Sequence, residues 1–282
     1  MNALILTYHS HNISGNDYAS NDHVALAQDL RVLAGVGARV VPLVRIVDAL
    51  RTRLEGPNDE VLVGLTFDDG PRFDFADFVH PRIGPQRSFL NIMRDFAREA
   101  GGQAQPELHA TSFVIASPQA RGAMERAQDC GHPDIPDWLA DDWWGEAAGT
   151  GMLAVQNHSW DHVHHAVPKV AITADVRDDF ARVDNYIDAD REIRRAADFI
   201  RSRTGRDCDH FAYPFGHVNR YLLEDYMPCR KSEHGMSAAF GTEGRRIAPS
   251  DSVWNIPRAV CGYHWRSPEE LRMLIAGETA RP

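Results

Sequence analysis

The stretch Val61-Leu62-Val63-Gly64-Leu65-Thr66-Phe67-Asp68-Asp69-Gly70 decides the fold, because an apolar run ends there abruptly at two carboxylates and a glycine. Near-continuous apolar runs are typical of parallel strands that are buried on both faces, and α/β folds collect their chemistry where such strands end. Neighbouring strand residues point to opposite faces, so Asp68 and Asp69 can have different roles, one as a metal ligand and the other as a free base. The alternative interpretation is that Asp-Asp-Gly is only a turn that closes the strand.

A second apolar run, residues 151–157, leads into His158-Ser159-Trp160-Asp161-His162. Two histidines at positions i and i+4 lie on one face of a helical turn, where both imidazoles can reach one ion. With Asp69 they form a set of two histidines and one carboxylate, which catalytic zinc sites and open facial triads share. A lone His-x-x-x-His carries little weight in a chain with 14 histidines. Its combination with an aspartate pair, each at the end of a strand, is a much stronger indication of a metal site.

Five segments of the chain, in order, resemble signature motifs or core strands of the polysaccharide deacetylases, also called the NodB-homology or carbohydrate esterase family 4 domain. They are Leu6-Thr7-Tyr8-His9, Thr66-Phe67-Asp68-Asp69-Gly70, Ala110-Thr111-Ser112-Phe113-Val114-Ile115, His158-Ser159-x-x-His162 and Phe211-Ala212-Tyr213-Pro214-Phe215-Gly216. The resemblance covers nearly the whole chain. It implies one domain, residues 1–282, folded as an irregular (β/α) barrel of about seven strands. The alternation of strands and helices along the chain independently predicts an α/β fold with a parallel sheet.

The resemblance also implies an activity, the removal of an N-acetyl group from an acetylated amino sugar or polysaccharide. In this scheme Asp69, His158 and His162 hold one divalent metal ion, most simply Zn²⁺, and a metal-bound water attacks the amide with Asp68 as the base. The backbone amide of Tyr213 is implied to help hold the oxyanion.

Four further residues are candidates for the site. Arg258 is the substitute for an arginine that many family members carry at the start of the third motif, where this chain has His210; a structural salt bridge is the alternative role. His264 lies nearest in sequence to the family's general acid, although the family's Leu-x-His tripeptide does not occur near the C-terminus. Tyr213, Pro214 and His9 are predicted to contact the substrate, with a solvated or hydrogen-bonded histidine as the alternative for His9.

The composition of the chain argues against several classes of protein. With 282 residues and 43% hydrophobic content the chain can bury a substantial core, and a net charge of -10 argues against a nucleic-acid partner. No apolar run approaches the roughly 18 residues of a membrane span, and the N-terminus begins as a strand with no signal peptide in view. The four scattered cysteines, Cys130, Cys208, Cys229 and Cys261, form no metal-type pair. These features predict reduced thiols and a cytoplasmic location.

Other functions stay open at this point. A related metal-dependent amidohydrolase could act on a small non-sugar amide or ureide, and a catalytically silent relative could bind carbohydrate on the same barrel. Phosphoryl transfer through a nucleophilic aspartate fits poorly, because it leaves the two histidines without a role. Trp138, Trp143 and Trp144 could form a carbohydrate platform or could anchor a helix to the barrel.

Overall fold

The computed structural model describes residues 2–52, 60–127, 135, 137–168 and 177–278. The strands are β1 (Ala3–His9), β2 (Arg39–Val40), β3 (Leu62–Asp68), β4 (Phe78–His80), β5 (Gly84–Gln86), β6 (Ala110–Val114), β7 (Leu153–Asn157), β8 (His210–Ala212), β9 (Ala238–Phe240) and β10 (Ala259–Val260). The α-helices are α1 (Asp22–Gly35), α2 (Leu43–Thr52), α3 (Phe89–Ala100), α4 (Pro118–Ala127), α5 (Trp144–Gly149), α6 (Tyr186–Ala189), α7 (Ala196–Thr204), α8 (Met227–Cys229), α9 (Lys231–His234) and α10 (Pro268–Ala276). A π-helical stretch, Asp190–Arg195, joins α6 to α7, and a second one, Leu222–Tyr226, leads into α8.

One parallel sheet organises these elements, with the strand order β10-β1-β3-β6-β7-β8-β9 and β2 beside β3. β1 pairs with β3 along its full length, from Ala3 opposite Leu62 to His9 opposite Asp68. On its other side β3 pairs first with β2 and then with β6. This arrangement confirms the predicted α/β fold with an irregular, barrel-like parallel sheet, of which seven strands form the continuous row.

The central strand is buried from Val63 to Asp68, as its apolar sequence predicts. Helices cover the sheet closely, and Gly64 allows this, since a Cβ there would lie 2.6 Å from a methyl group of Leu43 in α2. This arrangement determines where the candidate site residues lie. The strands run in parallel, so β1, β3, β7 and β8 deliver their C-terminal residues to one edge of the sheet.

Two other predictions from the sequence concern membrane-spanning segments and the state of the cysteines. Among the described residues, no helix has the length and apolar character needed to cross a bilayer. Cys208, Cys229 and Cys261 are free, and Cys130 lies outside the described residues.

Candidate active site

Asp68, the last residue of β3, forms a buried two-point ion pair with Arg258. Arg258 Nη1 lies 2.7 Å from Asp68 Oδ1, and Nη2 lies 2.8 Å from Oδ2. The guanidinium is completely buried, and its Nε donates to the carbonyl of Gly241 at 3.0 Å. Burial by itself would raise the pKa of Asp68, but the charge of the Arg258 guanidinium brings it below its ordinary value. Asp68 is therefore an ionised carboxylate with a fixed orientation.

Asp69 leaves the strand in a left-handed conformation, with φ 73°, and Gly70 follows with φ 69°. Gly70 is required here, because a Cβ would lie 2.5 Å from a methyl group of Val114 in β6. The tight turn aims the Asp69 carboxylate across the edge of the sheet towards the histidines that follow β7.

The structure brings the three predicted metal ligands together. Asp69 Oδ1 lies 3.6 Å from His158 Nε2 and 3.5 Å from His162 Nε2, and the three ligand atoms all lie within 4.8 Å of one another. His158 Nδ1 is 2.9 Å from the carbonyl oxygen of Ala212. That contact places the ring proton on Nδ1 and leaves the Nε2 lone pair facing Asp69.

The charge state of this cluster also suits a cation. Burial and the neighbouring His158 lower the pKa of His162 to about 3, so its imidazole is neutral, which is the form that binds metals. Burial would raise the pKa of Asp69, but His11 and His162 together hold it well below its ordinary value. A buried anionic oxygen beside two imidazole nitrogens is a donor set that divalent transition metals prefer.

The histidine motif is not the helical turn that its spacing predicts. Residues 158–163 form an irregular turn in which Ser159, His162 and Val163 have positive φ values of 76°, 61° and 51°. The Ser159 hydroxyl accepts a hydrogen bond from His162 N at 2.8 Å. The prediction of the backbone shape was wrong, yet the two rings still converge, with their centroids 4.9 Å apart.

Asp161 braces this turn from behind. Its Oδ2 lies 2.7 Å from Arg191 Nη2, and its Oδ1 accepts from Val163 N at 3.1 Å. Its backbone N–H in turn donates to Glu192 Oε2 at 3.1 Å. The turn is therefore fixed by buried carboxylates on the π-helical side of the molecule.

His11 is a site residue that the sequence reasoning missed. Its Nδ1 lies 3.2 Å from Asp69 Oδ2, whereas the two candidate metal-ligand histidines face Oδ1. The repeated histidine in His9-Ser10-His11, directly after a strand, is the signal that could have revealed it.

His9 ends β1 and is placed beside Asp68 by the pairing of the two strands. It is the residue directly opposite Asp68 in the pairing of β1 with β3, and it lines the same cavity. Burial and the neighbouring His11 lower its pKa to about 4, so the imidazole is neutral at pH 7.

Tyr213 does not fit its predicted role. Its backbone N–H donates to the carbonyl of Phe240 at 3.0 Å, because the pairing of β8 with β9 continues through this residue. Its buried phenol donates to the carbonyl of Trp254 at 2.9 Å. Pro214 is buried in the turn that follows, and it is Phe215 that reaches the cavity, where its ring packs 4.5 Å from that of His162. The correction follows from strand pairing, which the local sequence does not reveal.

A cavity of about 800 Å³ opens above these residues. His264 lines it, but its Nδ1 accepts from Val260 N at 2.8 Å, and its ring packs on Gly244. Within the described part of the chain no hydrogen bond or ion pair joins it to Asp68 or to the ligand set. Its predicted role as general acid stays a prediction.

The three tryptophans belong to the core. Trp138, Trp143 and Trp144 are 2%, 2% and 0% exposed, and none of them lines the cavity above the carboxylates. The packing alternative is therefore the one that the structure supports.

Comparison with known proteins agrees with the motifs. The family model described as polysaccharide deacetylase matches residues 104–229, which include the histidine turn and the Tyr213 segment. No curated protein sequence matches the chain at a significant level.

Solved structures share the fold over nearly the whole chain. The Streptococcus pyogenes deacetylase PplD, in complex with acetate, has a TM-score of 0.64 at 15% identity and covers 98% of both chains. IcaB from Ammonifex degensii has a TM-score of 0.62 at 19% identity, over 99% of this chain and 97% of its own. A polysaccharide deacetylase from Bacillus cereus has a TM-score of 0.61 at 15% identity, over 98% of this chain and 69% of its own. Residues 104–229 thus match the polysaccharide deacetylase family model, and nearly the whole chain shares the fold of the solved deacetylases.

Proposed function

We propose that this protein is a metal-dependent deacetylase that removes the N-acetyl group from an amino sugar of an acetylated polysaccharide. The observation that carries the proposal is the convergence of Asp69, His158 and His162 beside a second aspartate that Arg258 holds in place. Two adjacent carboxylates with separate duties suit amide hydrolysis, which needs both an electrophilic centre and a base.

Asp69, His158 and His162 would hold the cation, and we propose Zn²⁺, since three nitrogen and oxygen ligands with one open position are typical of catalytic zinc. When bound, the ion supplies Lewis-acid chemistry, polarising the acetyl carbonyl and lowering the pKa of water. The chain's own contribution is to present these three ligands already assembled.

Asp68 is suited to accept a proton from the attacking water. It is ionised, and both of its oxygens are oriented by Arg258. Because the guanidinium is itself tied to Gly241 and Thr66, the carboxylate cannot rotate away from the cavity. Arg258 acts as a positioning residue in this scheme.

The departing amine nitrogen must receive a proton as the C–N bond breaks, giving acetate and a free amino sugar. His9 is our first candidate for the donor, because it pairs with Asp68 across the two strands and lines the same cavity. His264 is the second candidate, on the same cavity but without a described contact to the carboxylates.

Acetate release from a panel of amides tests the proposal. We expect the zinc-loaded protein to release acetate from tetra-N-acetylchitotetraose, and protein treated with a chelator to release none until zinc is restored. Small cyclic amides and ureides form the second arm of the panel. Hydrolysis of these alone would support the amidohydrolase alternative. Saccharide binding without turnover by the metal-loaded protein would support the silent carbohydrate-binding alternative.

A further inference from the structure

The helical segment from Tyr186 to Thr204 is not a regular α-helix. Its middle part, Asp190–Arg195, is π-helical and lies between α6 and α7. Short π-helical stretches inside α-helices are rare, and they occur frequently at functional sites. This one packs against the turn that carries His158 and His162, so its contacts bear directly on the candidate metal site.

Arg191 and Glu192, in the π-helical stretch, hold Asp161 at two points. Arg191 Nη2 lies 2.7 Å from Asp161 Oδ2, and the backbone N–H of Asp161 donates to Glu192 Oε2 at 3.1 Å. The side chains of Asp161 and Glu192 are each only 1% exposed, and polar contacts shielded from water are electrostatically stronger than exposed ones. Because Asp161 immediately precedes His162, these contacts also fix the backbone of that histidine.

Two further residues of the stretch contact the first half of the turn. The side-chain amide of Asn157 donates to the carbonyl of Ile193 at 2.8 Å, while its Oδ1 accepts from Ser159 N at 2.8 Å. The guanidinium of Arg195 lies 3.7 Å from the centroid of the Trp160 ring, a cation–π contact. Four of the six residues in the π-helical stretch therefore contact the histidine turn.

The π-helical geometry explains how so many consecutive residues reach one partner. Successive residues of an α-helix are turned by about 100° around its axis, so Arg191, Glu192 and Ile193 would spread over about 200°. In the π-helical stretch two side chains and one carbonyl of these residues all meet the histidine turn. Asp190 and Arg194 belong to the same stretch but pair with each other, with Arg194 Nε 2.6 Å from Asp190 Oδ1.

The two histidines of the turn are oriented in different ways. His158 is held through its ring, since its Nδ1 lies 2.9 Å from the carbonyl oxygen of Ala212. The ring of His162 is also buried, but its Nδ1 has no hydrogen-bond partner among the described residues. Most metal-binding histidines are oriented by a hydrogen bond at the second ring nitrogen. The direction of the His162 ring towards Asp69 therefore depends on the backbone of the turn.

From these contacts we propose that the π-helical stretch is a positioning element of the metal site, with Arg191 and Glu192 as positioning residues for His162. They act through the backbone of the histidine turn and not through the imidazole itself. The inference rests on the proposed function, because it takes Asp69, His158 and His162 as the ligands of the cation. It deepens that function by assigning part of the zinc affinity to residues that do not touch the ion.

Zinc affinity and the visible absorption spectrum of the cobalt-substituted protein test the inference. The double variant Asp161→Asn/Arg191→Met removes both charges of the ion pair, so neither charge is left buried alone. Glu192→Met removes the oxygen that accepts from Asp161 N. We expect each variant to weaken zinc binding by about 10–100-fold, measured by competition with a chromophoric chelator. The d–d bands of bound Co²⁺ should also change, because they report the geometry of the ligands.

Matched variants separate positioning from a general effect on folding. Glu192→Gln keeps an acceptor oxygen and should retain the zinc affinity and cobalt spectrum of the wild type. Arg194→Met should also retain both, because Arg194 pairs with Asp190 and Asp198 and not with the histidine turn. A purely structural role would lower the free energy of unfolding of the Arg191 and Glu192 variants and leave both metal readouts unchanged. That result, or an equal loss of affinity in Arg194→Met, would overturn the inference.

Acetate release by the wild-type protein keeps the two proposals separable. Acetate release together with unchanged zinc affinity in the Arg191 and Glu192 variants overturns the positioning inference alone. Zinc binding that depends on Arg191 and Glu192, without acetate release from tetra-N-acetylchitotetraose, overturns the proposed deacetylase activity alone.

Discussion

Asp68 and Asp69 are adjacent in the chain, yet their surroundings differ in kind. Asp68 ends a strand with both oxygens held by a guanidinium. Asp69 begins a left-handed turn and faces imidazoles, two at Oδ1 and His11 at Oδ2. A buried carboxylate paired with arginine already has its counter-charge, whereas one among imidazoles retains affinity for a cation. The partners supplied by the fold, and not the residue type, therefore distinguish the proposed base, Asp68, from the proposed metal ligand, Asp69.

The largest effect is expected on the Asp69 side. Asp69→Ala removes the anionic ligand, so we expect both the bound metal and the activity to be lost. His158→Ala should behave in the same way. Elemental analysis of the purified variants, with acetate release in parallel, checks this, and a variant that retains one equivalent of metal would contradict the assignment of ligands.

A substitution of Asp68 should leave the bound metal in place. Asp68→Asn preserves the shape but removes the base, so we expect a loss of about 10²–10⁴ in kcat with unchanged metal content. Full activity in this variant would show that Asp68 is not the base.

The ion pair itself can be broken from the other partner. Arg258→Gln leaves the Asp68 carboxylate buried without its counter-charge, and we expect a loss of about 3–5 kcal/mol in the free energy of unfolding. Urea denaturation measures it. The double variant Asp68→Asn/Arg258→Gln should recover part of the loss, and additive effects would mean that the two residues are not coupled.

A smaller effect is expected at His11, which holds the second oxygen of Asp69. His11→Gln should weaken zinc binding by about 10–100-fold, as other changes to residues that orient metal ligands do. Competition with a chromophoric chelator measures the affinity. His109→Gln, before β6 and at the opposite end of the strands, is the matched control, and equal affinities in the two variants would remove His11 from the site.

The smallest effect on activity is expected at Asp74. This residue is a third buried carboxyl group near Asp68 and Asp69, and it is hydrogen-bonded to Ser10 and Ser112. Burial raises the pKa of Asp74 to about 8. The unfolded chain releases this proton near pH 4 and the folded chain keeps it, so stability should fall as the pH rises from about 4 to about 8. Asp74→Asn should flatten that slope by up to about 1.4 kcal/mol per pH unit across this range. Parallel curves for the two proteins would show that Asp74 is ionised at pH 7.

The sequence allowed the parallel sheet and the meeting of Asp69, His158 and His162 to be predicted, because strand ends and ligand types are local features. It also pointed to Arg258, which the structure places on Asp68. Prediction from the sequence failed where the role of a residue depends on pairing between strands that are distant in the chain. The Tyr213 amide is taken up by Phe240, a pairing that no local pattern specifies. His11 was not predicted as a site residue, because its approach to Asp69 depends on the path of the loop after β1.

Around the cation site, Asp69, Ser159, His162, Val163 and Phe215 all adopt backbone angles that residues other than glycine rarely tolerate. Such conformations cost about 1–3 kcal/mol each and persist only where the surrounding structure enforces them. Five of the seven residues other than glycine that have positive φ in the described part of the chain thus lie around the proposed cation site. Mutations selected for thermal stability alone should accumulate at these turns. The same mutations should lower the affinity for the ion.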